Sequence, residues 1–228
     1  MKMLTTIHIG SISIDSYVFM ILVGAVGMLI RMLYCRRRFE LNILQCAVFT
    51  VVLTVCGVAG AVLLFQLENG FQGSGVSFYG SVFLIPIVMP LFGKLFKLRV
   101  SQTLDLVAPC IAIMVGFIRI GCFMEGCCGG CVVYVGDTYF QWPTQIMECI
   151  GDFIIAGWLL RVEAKEKWQG ALCPLFMLSY SIMRFFLEFL RYVPDKWFGL
   201  GHGQCFAIVS IAISVFWLAK HRKKTHRK

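Results

Sequence analysis

Charged side chains are scarce in this sequence. Aspartate, glutamate, lysine and arginine together make up 14% of its 228 residues, against about 25% in a typical soluble domain. Hydrophobic residues make up 59%, and the mean hydropathy is +0.80. The shortage of charge excludes an ordinary soluble globular domain and indicates a chain that folds with lipid as its solvent.

The sequence also lacks stretches in which basic and aromatic side chains alternate, although its formal net charge is +9. Most basic residues stand in four short groups, each after a long apolar run. These groups are Arg36, Arg37 and Arg38; Lys94, Lys97 and Arg99; Arg161, Lys165 and Lys167; and Lys220, Arg222, Lys223, Lys224, Arg227 and Lys228. Basic residues that flank apolar runs are typical of membrane anchors, so the charge does not indicate a nucleic-acid partner.

Seven apolar runs approach or reach the roughly 20 residues that a helix needs to cross a bilayer. They lie near residues 15–34, 43–65, 78–96, 103–124, 144–161, 170–190 and 204–219. We therefore predict an all-α, polytopic membrane protein of about seven transmembrane helices, folded as a single domain over residues 1–228.

The basic residues also predict an orientation, because cytoplasmic loops retain lysine and arginine. The loops after the first, third and fifth spans and the tail 220–228 carry most of them, whereas the loops at 66–77 and 125–143 carry none. With seven spans the two sets fall on opposite sides of the membrane. This predicts an external N-terminus, with residues 1–13 as an external lead-in, and a cytoplasmic C-terminus in a plasma membrane.

Two predicted external segments, 66–81 and 125–143, are rich in glycine and aromatic residues. Irregular backbone near membrane depth is tolerated where protein or a water-filled cavity satisfies its polar groups. The segments therefore favour an outward-facing cavity, although ordinary flexible loops would have the same composition.

Ionisable side chains within the spans are costly, at about 2.5–3.5 kcal/mol each near the centre of the bilayer. Arg119 lies near the external end of span four, and Gln145 and Glu148 lie at the start of span five. Span six carries four polar residues at steps of four, four and three: Tyr180, Arg184, Glu188 and Arg191. This spacing predicts that they share one helical face.

Two interpretations fit these buried charges, which also include Asp105 and Asp152. They could form internal ion pairs with a structural role. Arginines that face an outward cavity would instead suit an anionic ligand, because guanidinium pairs bidentately with phosphate. A phospholipid headgroup is the phosphate available at that depth, which favours an enzyme that acts on phospholipids.

Residues 119–130 (RIGCFMEGCCGG) are similar to the G-R-x-G-N-F-x-N-G-E-x-x-G signature of the prolipoprotein diacylglyceryl transferases, bacterial membrane enzymes. Matches in the same order are Tyr17, Ser77–Gly80, Pro143–Glu148, the Tyr180–Arg191 face with Pro194 and Asp195 after it, and Gly203 with Gln204. The chain resembles this family over nearly its whole length, from about residue 10 to 218.

The resemblance implies transfer of a diacylglyceryl group from phosphatidylglycerol to the lipobox cysteine of a prolipoprotein, with no metal or organic cofactor. Arg119 and Arg184 would hold the phosphate, and Glu188 and Glu148 would orient the arginines or the incoming peptide. Glycines would let the backbone approach the lipid. The implied catalytic residues are Arg119, Arg184, Glu188 and Tyr79. The implied substrate-binding residues are Tyr17, Gly121, Gly126, Gly130, Gln145, Glu148, Tyr180 and Arg191.

The sequence departs from the family pattern at several positions. Tyr79 stands where the family has a histidine, and tyrosine, with a reference pKa of about 10, is a poor base. Ile118 replaces a glycine, Cys122 and Glu125 replace two asparagines, and Cys127 replaces a glutamate.

Four of the eleven cysteines form a cluster that permits a rival function. Cys122, Cys127, Cys128 and Cys131 do not have the spacing of a standard zinc or iron–sulfur site. Cys128 and Cys131 have the C-x-x-C spacing of thiol oxidoreductases. The alternatives are therefore a membrane thiol redox or metal-binding protein, or a catalytically inactive relative that only binds lipid.

Overall fold

The computed structural model describes residues 6–9, 12–73, 75–136, 138–165, 168–191, 196–197 and 199–225. Some of the sequence observations fall on residues outside these ranges. They concern Lys167 in the third basic group, Pro194 and Asp195 after the polar face of span six, and residues 226–228 of the basic tail.

Seven long helices run through the described part of the chain. Their bounds are α1 Ser16–Cys35, α2 Ile43–Glu68, α3 Phe78–Leu95, α4 Val100–Glu125, α5 Thr144–Glu163, α6 Leu172–Leu187 and α7 His202–Thr225. All except α5 are long and apolar enough to cross a membrane, and α5 carries Glu148, Asp152, Arg161 and Glu163. The predicted all-α polytopic fold is confirmed.

Local capping fixes where several helices begin. The Asp15 carboxylate accepts a hydrogen bond from the Tyr17 backbone amide at 2.9 Å at the start of α1. At the start of α2, the Asn42 and Gln45 side chains each accept a hydrogen bond from the other residue's backbone amide, both at 2.8 Å. Such caps satisfy amides that have no partner within the helix.

In the described part of the chain, three short antiparallel hairpins join or precede the helices, and the sequence did not predict them. They pair β1 Thr6–Ile9 with β2 Ile12–Asp15, β3 Val132–Val135 with β4 Thr138–Gln141, and β5 Lys196–Trp197 with β6 Leu200–Gly201. The second hairpin occupies much of the glycine-rich segment 125–143. All three adjoin the helix ends at which α1, α5 and α7 begin and α4 and α6 end, so they mark one side of the molecule.

Helix α4 is the centre of the bundle and contacts α1, α3, α5 and α6. Within its most apolar 18-residue window 72% is buried, against 22% for α1, so α4 is surrounded by protein and α1 faces outward. Close helix crossings use glycine, as is usual in membranes. A Cβ atom on Gly60 of α2 would lie 2.7 Å from the Gly80 carbonyl oxygen of α3.

Candidate active site

The candidate site is centred on Glu148, whose side chain is almost fully buried near the start of α5. Its Oε1 lies 2.7 Å from Nη2 of Arg119 on α4. Its Oε2 lies 3.5 Å from Nη1 of Arg184 on α6, and the Tyr180 hydroxyl donates to Oε1 at 3.3 Å. One carboxylate thereby joins three helices.

A second carboxylate, Glu188, extends this arrangement. Its Oε2 lies 2.9 Å from Nη2 of Arg184. Arg191 stands 3.9 Å from each carboxylate, through Nη1 to Glu148 and through Nε to Glu188. We call Arg119, Glu148, Arg184, Glu188 and Arg191 the arginine–carboxylate cluster; three cations face two anions in it, which leaves one positive charge.

The polar face predicted for span six is correct for three of its four residues. Tyr180 and Arg184 lie on α6, and Glu188 follows at the start of a 3₁₀ turn, Glu188–Leu190. The prediction that Arg191 continues the same helix is wrong, because its backbone is already extended, with ψ of 148°. It reaches the cluster because it pairs with Gly130 in an antiparallel bridge.

The loop after α4 is tied to the start of α5. Gly126 ends α4 in the left-handed conformation, with φ of 69°. The Gln145 side chain donates to the Cys127 carbonyl at 2.7 Å, and the Thr144 hydroxyl donates to the Cys128 carbonyl at 3.1 Å. Gln145 thus positions the loop; its predicted contact with substrate stays a prediction.

The glycines of the signature contact protein. A Cβ atom on Gly121 would lie 3.2 Å from Tyr17 Cα and from Met20 Cβ, so Gly121 lets α1 approach α4. A Cβ atom on Gly130 would lie 2.6 Å from the Leu190 carbonyl oxygen. These contacts give each glycine a packing role, and approach of the backbone to lipid stays a prediction.

Tyr17 is fixed by two acidic side chains at the N-terminal end of α1. Its amide donates to Asp15 and also to Glu125 Oε1 at 3.2 Å. A hydrogen bond with Glu125 lowers the pKa of the exposed Asp15, and the amides of Tyr17 and Val18 act in the same direction.

A cavity of about 320 Å³ lies between the helices, beside the arginine–carboxylate cluster. Its polar end includes Arg119, Arg184, Glu188 and Arg191, together with Tyr17, Cys122, Cys127 and Cys128. Its apolar walls include Met28, Leu53, Ile85, Ile111 and Val115. The cavity is therefore amphipathic, as a site for a lipid headgroup must be.

Tyr79 also lines the cavity, on α3, with its side chain buried. Its ring centroid lies 6.0 Å from that of Tyr180 in an edge contact. None of the ion pairs of the cluster involves Tyr79, so it stands beside the cluster.

Comparison with known proteins agrees with the geometry. The prolipoprotein diacylglyceryl transferase family matches residues 4–220. The chain belongs to this family. A similar protein is phosphatidylglycerol–prolipoprotein diacylglyceryl transferase 2 of Clostridium perfringens, 29% identical over an alignment 247 positions long that covers 97% of this chain and 96% of that protein. The Clostridium tetani transferase is 32% identical over 157 residues, 63% of each chain, and that of Pasteurella multocida is 32% identical over 169 residues, 65% of this chain and 61% of that protein.

Membership of the prolipoprotein diacylglyceryl transferase family confirms the resemblance seen in the sequence and makes the chain a membrane transferase. The comparisons support this function and give no support to a thiol redox enzyme. Cys128 and Cys131 of the C-x-x-C are not joined by a disulfide in the structure.

One feature of this transferase site was missed from the sequence. His202, at the start of α7, lines the cavity, and a Cβ atom on the adjacent Gly203 would lie 2.6 Å from Glu188 Oε1. The family match at Gly203 and Gln204 pointed to this helix start, but not to the histidine before it. The sequence grouped Cys122, Cys127 and Cys128 with Cys131 and left a metal-binding protein as an alternative. In the structure the first three thiols lie within 4.8 Å of one another and could hold a metal ion.

Proposed function

We propose that this chain transfers a diacylglyceryl group from phosphatidylglycerol to the lipobox cysteine of a prolipoprotein. The observation that carries the proposal is the arginine–carboxylate cluster at the polar end of an amphipathic cavity. Its one uncompensated positive charge matches the single negative charge of a phosphodiester. The names of the related transferases give the same two substrates, phosphatidylglycerol and a prolipoprotein.

The apolar walls of the cavity would contact the apolar part of the lipid that lies beyond its phosphate. At about 320 Å³, the cavity falls at the lower end of the range for ligand pockets. It therefore suits a headgroup, the glycerol backbone and the first carbons of the acyl chains. The rest of each chain would extend between helices into the bilayer.

The reaction then needs little beyond positioning and electrostatics. The acceptor thiolate attacks the glycerol carbon that bears the phosphate, a carbon–sulfur bond forms, and the carbon–oxygen bond breaks. The electron pair leaves with the phosphate oxygen as glycerol phosphate. Arg119 and Arg184 stabilise the departing charge, while Glu148 and Glu188 hold the arginines in place.

The remaining site residues act around this centre. Tyr79 donates a hydrogen bond to the substrate from the cavity wall. It does not act as the base, because a phenol of reference pKa about 10 is a poor base. His202, which also lines the cavity, accepts the thiol proton. Substrate contacts come from Tyr17, Gln145, Tyr180 and Arg191, and the loop that faces the lipid is shaped by Gly121, Gly126 and Gly130.

We place the enzyme in the bacterial plasma membrane with the cluster at its external side. The basic groups lie at the opposite helix ends from the three hairpins, and basic residues remain cytoplasmic. The N-terminus is then outside and the tail 220–228 inside. A prolipoprotein whose lipobox reaches the outer leaflet would meet the cavity directly.

The test is complementation in cells depleted of their own diacylglyceryl transferase, read as the mass of a reporter lipoprotein. The chain should restore the mass of one diacylglyceryl group, and Arg119→Ala and Arg184→Ala should abolish the gain. Arg31→Ala is the matched control, because Arg31 is also buried and ion-paired, 2.6 Å from Glu163 at the opposite helix ends.

The control should lower protein stability yet still restore the mass when the membrane content is matched. Absence of any gain with the wild-type chain in the membrane would favour the lipid-binding, inactive relative. Equal loss of activity in Arg31→Ala would mean that the arginines act through folding alone.

A further inference from the structure

The three thiols that meet at the polar end of the cavity form a site in their own right. Cys122, Cys127 and Cys128 have their sulfur atoms within 4.8 Å of one another. A tetrahedral zinc ion with bonds of about 2.3 Å holds its sulfur ligands about 3.8 Å apart. A small inward movement of the side chains would therefore complete three corners of a tetrahedron.

The backbone brings these thiols together through a defined turn. Gly126 leaves α4 with φ of 69°, and the Cys127 amide donates back to the Cys122 carbonyl at 3.1 Å. Cys128 follows with φ of 61°, a left-handed conformation that is costly for a residue with a side chain. The turn folds Cys127 and Cys128 back over Cys122.

The loop that carries two of the thiols is also held from outside. Thr144 and Gln145 donate side-chain hydrogen bonds to the Cys128 and Cys127 carbonyl oxygens. Supporting contacts of this kind keep metal ligands oriented. The thiols are thus positioned by the fold rather than gathered by chance on a flexible loop.

Packing explains the buried Cys122 but does not account for Cys127 and Cys128. Cys46, Cys110 and Cys173 are buried as small apolar residues, whereas Cys127 and Cys128 are exposed, and all three thiols of the group line the cavity. Three thiolates and one Zn²⁺ would carry a net charge of −1. That charge would lie beside the cationic side chains of Arg119 and Arg191, which line the same cavity.

We propose that Cys122, Cys127 and Cys128 bind a zinc ion whose fourth position opens into the cavity and accepts the substrate thiol. Three protein ligands with an open fourth position is the arrangement of catalytic zinc. The metal-binding part stands on the thiol geometry, while the role in the reaction rests on the proposed function.

The family has a histidine where this chain has Tyr79, which is a poor base. The zinc site would supply another means of deprotonating the substrate thiol. A thiol bound to zinc is deprotonated, and its proton would pass to His202. The zinc-bound sulfur then forms the carbon–sulfur bond as the carbon–oxygen bond to phosphate breaks. Glycerol phosphate leaves with the electron pair, and the metal undergoes no change of oxidation state.

The first experiment measures metal in the detergent-purified, reduced full-length protein after loading with Zn²⁺ and removal of the excess. The wild-type chain should retain one Zn²⁺ per molecule. Cys122→Ser, Cys127→Ser and Cys128→Ser should each lose it. Cys131→Ser is the matched control, since Cys131 is near in sequence but outside the three-thiol group, and it should keep the ion.

Co²⁺ loading provides a second readout that does not depend on activity. The wild-type protein should show thiolate-to-cobalt charge-transfer absorption, and each of the three serine variants should weaken it while helix content by circular dichroism stays unchanged. Absence of stoichiometric Zn²⁺ in the wild-type chain, or equal loss in Cys131→Ser, would overturn the metal site.

Transfer assays on the same preparations separate this inference from the proposed function. Metal-free protein should transfer poorly and recover with Zn²⁺. Full transfer without metal would overturn the role of zinc and leave the transferase intact. Retained zinc with no transfer under any condition would instead overturn the proposed reaction and leave the metal site.

Discussion

Two carboxylates on α5, one turn apart, differ in their partners. Glu148 pairs with arginines from α4 and α6, whereas neither oxygen of the fully buried Asp152 has a hydrogen-bond partner in the described structure. Removing one partner from a buried ion pair strands the others. A buried polar group without a partner lowers the free energy of unfolding, with no interaction to offset that cost. The same change from acid to amide should therefore have opposite consequences at the two positions.

We predict that Glu148→Gln lowers the free energy of unfolding by about 3–5 kcal/mol, because three arginines would then face Glu188 alone. Asp152→Asn should leave stability unchanged or raise it. Thermal unfolding of the two purified variants in one detergent measures the difference. Equal destabilisation by both substitutions would contradict this prediction, because it would mean that the Asp152 carboxylate also makes a stabilising interaction.

At the scale of elements, α2 and α3 approach each other closely at one glycine pair, Gly60 and Gly80. This approach also positions Tyr79, which lies on α3. A Cβ atom on Gly60 would lie 2.7 Å from the Gly80 carbonyl oxygen, whereas one on Gly57, a turn earlier on α2, would meet Ile85 at an ordinary 3.8 Å. Gly60→Ala should therefore separate the two helices, and Gly57→Ala should not.

We expect Gly60→Ala to lower the unfolding temperature and the transfer activity together, because α3 carries both Gly80 and Tyr79. Gly57→Ala should keep both, with a gain from the helix propensity of alanine of up to about 1 kcal/mol. Unfolding by heat and the lipoprotein mass assay test the pair. Similar behaviour of the two variants would contradict the crossing geometry.

Periodicity explains which parts of the site the sequence could predict. Tyr180, Arg184 and Glu188 were placed on one face because helical spacing alone determines it. The spacing misplaces Arg191, because the helix ends in a 3₁₀ turn before it. Arg191 instead pairs with Gly130 of another loop in an antiparallel bridge. Such a bridge depends on residues 61 positions apart, which no local pattern records.

The cysteines show the same limit at a turn. Spacing drew attention to Cys128 and Cys131 as a C-x-x-C, but the fold groups Cys128 with Cys127 and Cys122. The left-handed residues Gly126 and Cys128 decide that grouping. Glycine at position 126 is compatible with such a turn, but a cysteine gives no sign of positive φ.

At the scale of the whole molecule, charge separates the two ends of the bundle. The hairpins and the arginine–carboxylate cluster lie at the ends where α1, α5 and α7 begin. The basic groups lie at the opposite ends, where Arg31 and Glu163 also pair. At the site, buried carboxylates pair with the arginines. The other end of the bundle carries lysines and arginines in its loops.

This asymmetry predicts the orientation in the membrane, because loops rich in basic residues remain cytoplasmic. A reporter enzyme that requires disulfides folds only outside the cytoplasm. Fused within the β3–β4 turn at Gly136, it should be active, and fused after the tail 220–228 it should be inactive. A cytoplasmic reporter at the same two places should give the reverse pattern. Activity of the disulfide-dependent reporter at the C-terminus would place the site on the cytoplasmic side, where an acceptor lipobox at the outer leaflet could not reach the cavity.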